Sequence, residues 1–218
     1  MIRAVLFDLD GTLYDRDAAM EAFAHEQFSA FKDQLPDLSA PQFLARFLDL
    51  DEHGYAKRSD LYRHLAGEFR FSDTLAVDLE RHFWDCYSRG CGATEDAWTT
   101  LRTLRSAGKK LGVITNGATK WQMTKLQALG MGGFFDVVLV SEAEGISKPD
   151  ARIFHRALDL CGVAAHEAMF VGDHPEIDVA GAKAAGLAAV WKRVPYWTLT
   201  VEGVLVVDRL SEILSRSA

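Results

Sequence analysis

The feature that most constrains the fold is an alternation of short apolar segments and helical segments from Thr94 onward. Apolar runs typical of buried strands lie at residues 110–115, 136–140, 168–172, 187–191 and 204–207. Helical patterns lie between these runs, and several of them are followed by a glycine that suits a helix end. Such alternation is typical of a parallel sheet with helices on both faces. We therefore predict an α/β fold with a doubly wound parallel (Rossmann-like) sheet.

A further apolar run, Ala4 to Phe7, lies far upstream of this alternation. All its residues are apolar, which is typical of a strand buried on both faces of a parallel sheet. Between this run and Thr94, residues 16–90 show helical patterns and no run that reads as a strand of useful length. We therefore predict an α/β core formed by residues 1–15 and 91–218, interrupted by an all-helical domain at residues 16–90.

The composition limits the classes of partner. The chain has 218 residues, of which 49% are hydrophobic, which is enough for a sizeable core and unlike a disordered protein. Its 31 acidic residues outnumber its 24 lysines and arginines, giving a net charge of −7. This balance argues against a nucleic-acid backbone or an anionic membrane as the main partner. It does not exclude small anions, because a local site can be positive on an acidic protein.

The cysteine pattern and the lack of targeting segments predict a soluble, cytoplasmic protein. The three cysteines, Cys86, Cys91 and Cys161, have neither C-x-x-C spacing nor an even number, so we expect reduced thiols without a zinc site or disulfide framework. The apolar stretch near the N-terminus is interrupted at Asp8 and is shorter than a signal peptide. No window approaches the ~18 apolar residues of a membrane span. The oligomeric state stays open.

Two carboxylates, Asp8 and Asp10, follow the first predicted strand directly, and Gly11 comes next. In open α/β sheets, ligands bind at the carboxyl ends of the strands. Two acids this close repel each other, so a cation between them is the natural expectation. Gly11 suits a sharp turn or a close approach of the backbone to a ligand. The alternative is an ordinary Asp-Gly turn at the surface.

Polar residues also follow the other predicted core strands. They are Thr115, Asn116, Lys148, Asp173 and Asp178. The carboxyl ends of parallel strands meet at one edge of a sheet, so we expect these residues to lie beside Asp8 and Asp10. Carboxylates, one ammonium and a hydroxyl suit phosphoryl transfer assisted by an oxygen-seeking divalent cation, most simply Mg²⁺. Each residue also has a structural alternative, such as a capping or solvent-exposed position.

Four motifs occur in order along the chain. They are D-L-D-G-T-L at residues 8–13, I-T-N-G at 114–117, S-K-P-D at 147–150 and G-D-H-P-E-I-D at 172–178. With these motifs the chain resembles the haloacid dehalogenase-like (HAD) hydrolase superfamily. The resemblance covers the whole predicted core, and the helical insert lies where the family carries a cap domain. It implies a Mg²⁺-dependent phosphatase that forms an aspartyl-phosphate intermediate and acts on a small phosphorylated metabolite.

The resemblance also implies a catalytic or phosphate-binding role for five residues. Asp8 matches the nucleophile that forms the phospho-enzyme. Asp10 matches the general acid and base, whose main-chain carbonyl also contacts the metal. Thr115 and Asn116 match the phosphate-binding group, and Lys148 matches the lysine that steadies the nucleophile and the phosphate.

The metal ligands that the resemblance implies are Asp8, Asp10, Asp173 and Asp178. Asp173 matches a direct Mg²⁺ ligand, and Asp178 matches a ligand or a residue directly behind one. Some relatives carry the last acid one position earlier, where this chain has Ile177. Glu176 is therefore an alternative to Asp178.

The residue at the position of Asp10 differs between branches of the superfamily that the chain resembles. The dehalogenases lack an acid at this position and phosphonate-cleaving relatives depart there, so Asp10 favours a phosphatase. A phosphomutase uses the same two aspartates and stays an alternative, as does a regulatory or binding protein without turnover. The resemblance leaves phosphoglycolate, a nucleoside monophosphate and a sugar phosphate open as substrates. The candidates for reading the substrate in the cap are His25, His53, Lys57, Arg58, Arg63 and His64.

Overall fold

The computed structural model describes residues 1–35, 37–198 and 201–216. These residues form two units. Met1–Asp15 with Gly92–Ala218 make up the first, called here the α/β unit, and Arg16–Cys91 make up the second, called the helical unit.

Within its described residues, the helical unit contains four α-helices. They are α1 (Arg16–Phe31), α2 (Ala40–Asp51), α3 (Arg58–Phe69) and α4 (Asp73–Cys86). Ser72 caps the start of α4, because its hydroxyl accepts a hydrogen bond from the Leu75 amide at 3.2 Å. Such a side-chain bond satisfies one of the amides that the first turn of a helix leaves unpaired.

A buried ion pair network lies inside the helical unit. The Asp51 carboxylate, 2% exposed, accepts hydrogen bonds from the guanidinium of Arg16 at 2.7 and 3.0 Å and from that of Arg58. Arg58 also lies over the ring of Phe83, 4.4 Å from its centroid. Arg58 was a candidate for reading the substrate, but its guanidinium supports the interior of this unit.

The α/β unit contains a six-stranded parallel sheet in the order β3-β2-β1-β4-β5-β6. The strands are β1 (Ala4–Phe7), β2 (Lys110–Thr115), β3 (Val137–Val140), β4 (Ala168–Gly172), β5 (Ala188–Lys192) and β6 (Leu205–Val207). This confirms the predicted doubly wound parallel sheet. The four residues of β1 are fully buried, as expected for a central strand covered on both faces.

Helices connect these strands. They are α5 (Glu95–Ser106), α6 (Thr119–Ala128), α7 (Ser141–Glu144), α8 (Ala151–Cys161) and α9 (Gly181–Ala184). The helical segment between β4 and β5 does not begin as an α-helix. A π-helical turn, Pro175–Ala180, comes first, and α9 follows it. π-Helical turns are rare and occur frequently at functional sites.

Candidate active site

The central strands β1 and β4 deliver two acids to one edge of the sheet. Asp8 follows β1 and Asp173 follows β4, and the two strands are paired in parallel along their length. Asp8 continues this pairing, because its amide donates to the Val171 carbonyl at 2.9 Å. Between β1 and β4 the strand order reverses direction, and a doubly wound sheet binds its ligands at the carboxyl ends of such strands.

Three carboxylates meet at this edge. Asp8, Asp173 and Asp178 each offer an oxygen within 4.8 Å of the others, and all three are buried. The Lys148 ammonium lies between two of them, 2.5 Å from Asp8 Oδ1 and 2.7 Å from Asp178 Oδ1. The structure thus brings four of the predicted site residues together. Glu176, the alternative to Asp178, is exposed.

The charge of this cluster is unbalanced, with three carboxylates around one ammonium. Burial, only partly offset by the Lys148 ammonium, raises the pKa of Asp8 to about 7, and Asp178 and Asp10 add to the rise. Burial also raises the pKa of Asp173, reinforced by the charges of Asp178 and Asp8. Burial by itself would lower the pKa of Lys148. The charges of Asp178 and Asp8 outweigh this effect and raise that pKa. A cation bound among these oxygens would relieve the repulsion.

Two glycines allow the carboxylates to approach the backbone. Gly11 has a φ of +80°, and a Cβ there would lie 2.8 Å from Oδ2 of Asp173. A Cβ at Gly172 would lie 2.4 Å from the Cβ of Asp178. Any other residue would displace one of these acids, so both glycines are required by the geometry of the cluster.

The π-helical turn orients Asp178 towards the cluster. The second oxygen of Asp178 accepts a hydrogen bond from the His174 amide at 3.0 Å. The Nδ1 atom of His174 accepts from the amides of Glu176 and Ile177, each at 3.1 Å. Burial lowers the pKa of His174, which favours the neutral ring that this acceptor role requires. His174 therefore has a local structural role.

The Lys148 loop is held by Asn116. The side-chain amide of Asn116 donates to the Lys148 carbonyl, and its oxygen accepts from the Lys148 amide, both at 2.9 Å. Asn116 thereby fixes the main chain from which the lysine reaches the carboxylates. The neighbouring residue Thr115 is 1% exposed. Its hydroxyl accepts a hydrogen bond from the side-chain amide of Gln122 at 2.7 Å. That these two residues bind phosphate stays a prediction.

The Asp10 carboxylate lies apart from the three-carboxylate group. Lys125 on α6 places its ammonium 2.5 Å from both oxygens of Asp10. Gln122, one turn earlier on the same helix, donates to Asp10 at 3.0 Å, and the Tyr14 hydroxyl donates to it as well. Lys125, Gln122 and Tyr14 were not among the site residues predicted from the sequence. One sequence feature could have indicated Gln122 and Lys125. They are three residues apart on one face of the helix that follows the I-T-N-G motif directly.

Two aromatic residues complete the surroundings of Asp173. The Trp191 indole donates to the Asp173 carbonyl at 2.8 Å, and the Tyr196 hydroxyl donates to Oδ2 of Asp173 at 3.2 Å. These contacts fix both the main chain and the side chain of Asp173. The resulting set of rigid, buried carboxylate oxygens fits a metal site for a hard divalent cation.

Comparison with known proteins identifies the family. The model of the haloacid dehalogenase-like hydrolases matches residues 2–186. The structure is similar to that of a HAD phosphatase from Thermococcus onnurineus, with a TM-score of 0.66 and 27% identity over 99% of this chain and 97% of that one. It is also similar to a 2-haloacid dehalogenase from Pseudomonas syringae pv. Tomato DC3000, with a TM-score of 0.63 and 28% identity over the full length of both. The chain belongs to the haloacid dehalogenase-like hydrolases.

Curated relatives specify the type of enzyme. The glyceraldehyde 3-phosphate phosphatase of Pyrococcus abyssi is 42% identical over 207 residues, covering 88% of this chain and 81% of that protein. The ribulose-1,5-bisphosphate 5-phosphatase of Halopiger xanaduensis is 34% identical over 212 residues, covering 87% and 84%. These relatives confirm the predicted class: the chain is a phosphoric monoester hydrolase of this superfamily. No helix within the described residues has the length and apolar character needed to cross a membrane.

Proposed function

We propose that this chain is a Mg²⁺-dependent phosphatase that hydrolyses a small sugar phosphate through an aspartyl-phosphate intermediate. The observation that carries the proposal is the buried group of Asp8, Asp173 and Asp178 bridged by the Lys148 ammonium. All three carboxylates offer the hard oxygen ligands that Mg²⁺ prefers. When bound there, the ion would neutralise charge on the phosphate and orient it.

In the first half of the reaction, Asp8 is the nucleophile. One of its oxygens attacks phosphorus and forms an acyl-phosphate bond, while the bond from phosphorus to the sugar oxygen breaks. Asp10 donates a proton to that leaving oxygen, so the product is a neutral alcohol. Lys148, which contacts Asp8 in the structure, keeps the nucleophile in place and adds positive charge beside the phosphate.

In the second half, water attacks the phosphorus of the phospho-enzyme. Asp10, now ionised, takes a proton from this water, and the bond between phosphorus and Asp8 breaks. Inorganic phosphate leaves and the Asp8 carboxylate is restored. Lys125 and Gln122, which bind the Asp10 carboxylate, suit the ionised form of Asp10 that this step requires. Thr115 and Asn116 are proposed to bind phosphate oxygens.

The substrate class rests on the relatives. Two of them are named for phosphorylated sugars, a triose phosphate and a pentulose bisphosphate, and they cover most of this chain. A pyrimidine 5'-nucleotidase of Escherichia coli is 33% identical over 194 residues, so a nucleoside monophosphate is the competing substrate. We assign the sugar phosphate because more of the similar curated relatives carry such names.

The test is phosphate release from a panel of substrates with Mg²⁺ and with a chelator. The panel contains glyceraldehyde 3-phosphate, ribulose 1,5-bisphosphate, pyrimidine nucleoside monophosphates, phosphoserine and p-nitrophenyl phosphate. We expect the highest kcat/KM with a sugar phosphate, and no release with chelator or in Asp8→Asn. The control is Asp159→Asn, which removes an exposed carboxylate on α8.

Three outcomes would contradict parts of the proposal. Turnover by Asp8→Asn at the wild-type rate would overturn the mechanism. A higher kcat/KM with a nucleoside monophosphate would overturn the substrate class. Conversion of a sugar phosphate to its isomer without release of phosphate would make the enzyme a phosphomutase.

A further inference from the structure

A second group of metal-binding side chains lies in the helical unit. Glu26 on α1 and His82 and Cys86 on α4 each offer one ligand atom, and these atoms all lie within 4.8 Å of one another. His82 and Cys86 are partly buried and Glu26 is exposed, so the group opens towards solvent on one side. None of these residues belongs to the hydrolase motifs.

The backbone explains why the three side chains meet. His82 and Cys86 are four residues apart on α4, so both project from the same face of that helix. α1 packs against α4 and brings Glu26 to this face. The C-x-x-C rule did not predict this group, because it contains a single cysteine and its ligands come from two helices.

The ring of His82 is held in place by aromatic residues. It lies against Phe23, with 5.7 Å between ring centroids, and against Phe31 at 5.3 Å with the rings nearly perpendicular. These two aromatic contacts hold the orientation of the ring. A rigid imidazole has less entropy to lose when it binds an ion.

One nitrogen of this ring lacks a partner. The Nδ1 atom of His82 is buried and accepts or donates no hydrogen bond within the described part of the chain. Buried polar atoms in folded proteins nearly always have a partner, and an exception often indicates an ion or water that occupies the site. The unpartnered nitrogen is an observation independent of the spacing of the three side chains.

We propose that Glu26, His82 and Cys86 form a binding site for a transition-metal ion of the Zn²⁺ type. One thiolate, one imidazole nitrogen and one carboxylate are typical zinc ligands, and a water would complete a tetrahedral site. Sulfur and nitrogen donors select against Mg²⁺, which prefers oxygen. This site therefore takes a different class of metal from the three-carboxylate group. The bound ion would link α1 to α4.

The test uses Co²⁺ as a spectroscopic substitute for Zn²⁺ in the full-length, chelator-treated protein. Excess Mg²⁺ is present to occupy the three-carboxylate group, which has no sulfur ligand. We expect one equivalent of Co²⁺ to give a thiolate-to-cobalt charge-transfer band in the near ultraviolet, and Zn²⁺ to displace it. The band should disappear in Cys86→Ser and remain in Cys91→Ser and Cys161→Ser, the matched cysteine controls.

A second set of variants guards against misfolding. Glu26→Gln changes an exposed side chain and His82→Gln changes the imidazole, and each should weaken Co²⁺ binding by at least about tenfold. Far-ultraviolet circular dichroism checks that each variant is folded. The proposal is wrong if wild type gives no such band, if the band persists in Cys86→Ser, or if Glu26→Gln and His82→Gln, both folded, bind Co²⁺ as wild type does.

Discussion

The ammonium of Lys125 lies 2.5 Å from both oxygens of the Asp10 carboxylate. The lysine side chain is 13% exposed, so solvent screens this pair less than a surface ion pair. Under the proposed mechanism Asp10 moves the proton in both half-reactions. Lys125 therefore acts through Asp10 as a positioning residue, and its removal should affect proton transfer more than it affects the attack by Asp8.

The loss of activity caused by Lys125→Met should depend on the leaving group of the substrate. An alkyl phosphate needs a proton on its leaving oxygen, so its kcat/KM, which reports formation of the phospho-enzyme, should fall by about 100-fold when the acid is misplaced. p-Nitrophenyl phosphate has a stable leaving anion, so its kcat/KM should fall by a smaller factor. The measurement is the ratio of the two kcat/KM values. Lys120→Met, a change of an exposed lysine on the same helix, is the control. Equal losses on both substrates would show that Lys125 has only a structural role.

Asp173→Asn should abolish the stabilisation by Mg²⁺. A ligand at 100 times its Kd stabilises the folded state by about 2.7 kcal/mol, which raises Tm by about 5 °C or more in a protein of this size. We expect this rise in wild type and in Glu176→Gln, which removes an exposed neighbouring acid. The measurement is Tm with and without Mg²⁺. A full Mg²⁺ response in Asp173→Asn would place the ion elsewhere.

The stability of the metal-free protein should fall as pH rises through the range in which Asp8 ionises. Its pKa is about 7 in the folded state against an ordinary value of 3.8, so the folded state holds the proton more tightly. The stabilisation from this proton is complete below about pH 4 and is lost as pH rises through 7. Asp8→Asn cannot titrate at this position, so its Tm relative to wild type should rise from pH 4.5 to pH 8. A pH-independent difference would contradict the raised pKa.

Asp51→Ala should destabilise the helical unit strongly. Asp51 pairs with two buried guanidinium groups, and its loss removes the carboxylate that Arg16 and Arg58 share, at a cost of about 3 kcal/mol. The measurement is the free energy of unfolding in denaturant. Asp49→Ala removes a carboxylate on the same helix that is 67% exposed, and it should change stability by less than about 1 kcal/mol. Similar losses in both variants would contradict the role of burial.

The sheet and the main acidic cluster were predictable because short-range patterns determine them. Apolar runs such as β1 and β4 have to be buried on both faces, and that requirement selects parallel strands. Acids placed just after such strands then meet at one edge, as Asp8 and Asp173 do. The prediction needed only the strand positions and the rule for parallel connections.

Other features depend on packing that the sequence pattern does not contain. In the sequence, nothing distinguishes Lys125 from other lysines on helices. Its contact with Asp10 is evident only from the position of α6 in the fold. The turn at Pro175–Ala180 is π-helical where periodicity predicted an α-helix, since contacts of His174 with the turn and with Asp178 hold it. Arg58 was a candidate for reading the substrate, but the fold pairs it with Asp51 in the interior.

The position of β1 in the sheet has a consequence for synthesis on the ribosome. β1 pairs with β2 on one side and with β4 on the other, although the whole helical unit and more lie between them in the chain. The helical unit is one continuous segment, so it can fold from local contacts while β1 still has two open edges. An unpaired strand edge invites pairing with other nascent chains. β1, which Asp8 follows directly, therefore stays unpaired for longer than the other strands. The nascent chain should need chaperones most before β4 emerges from the ribosome.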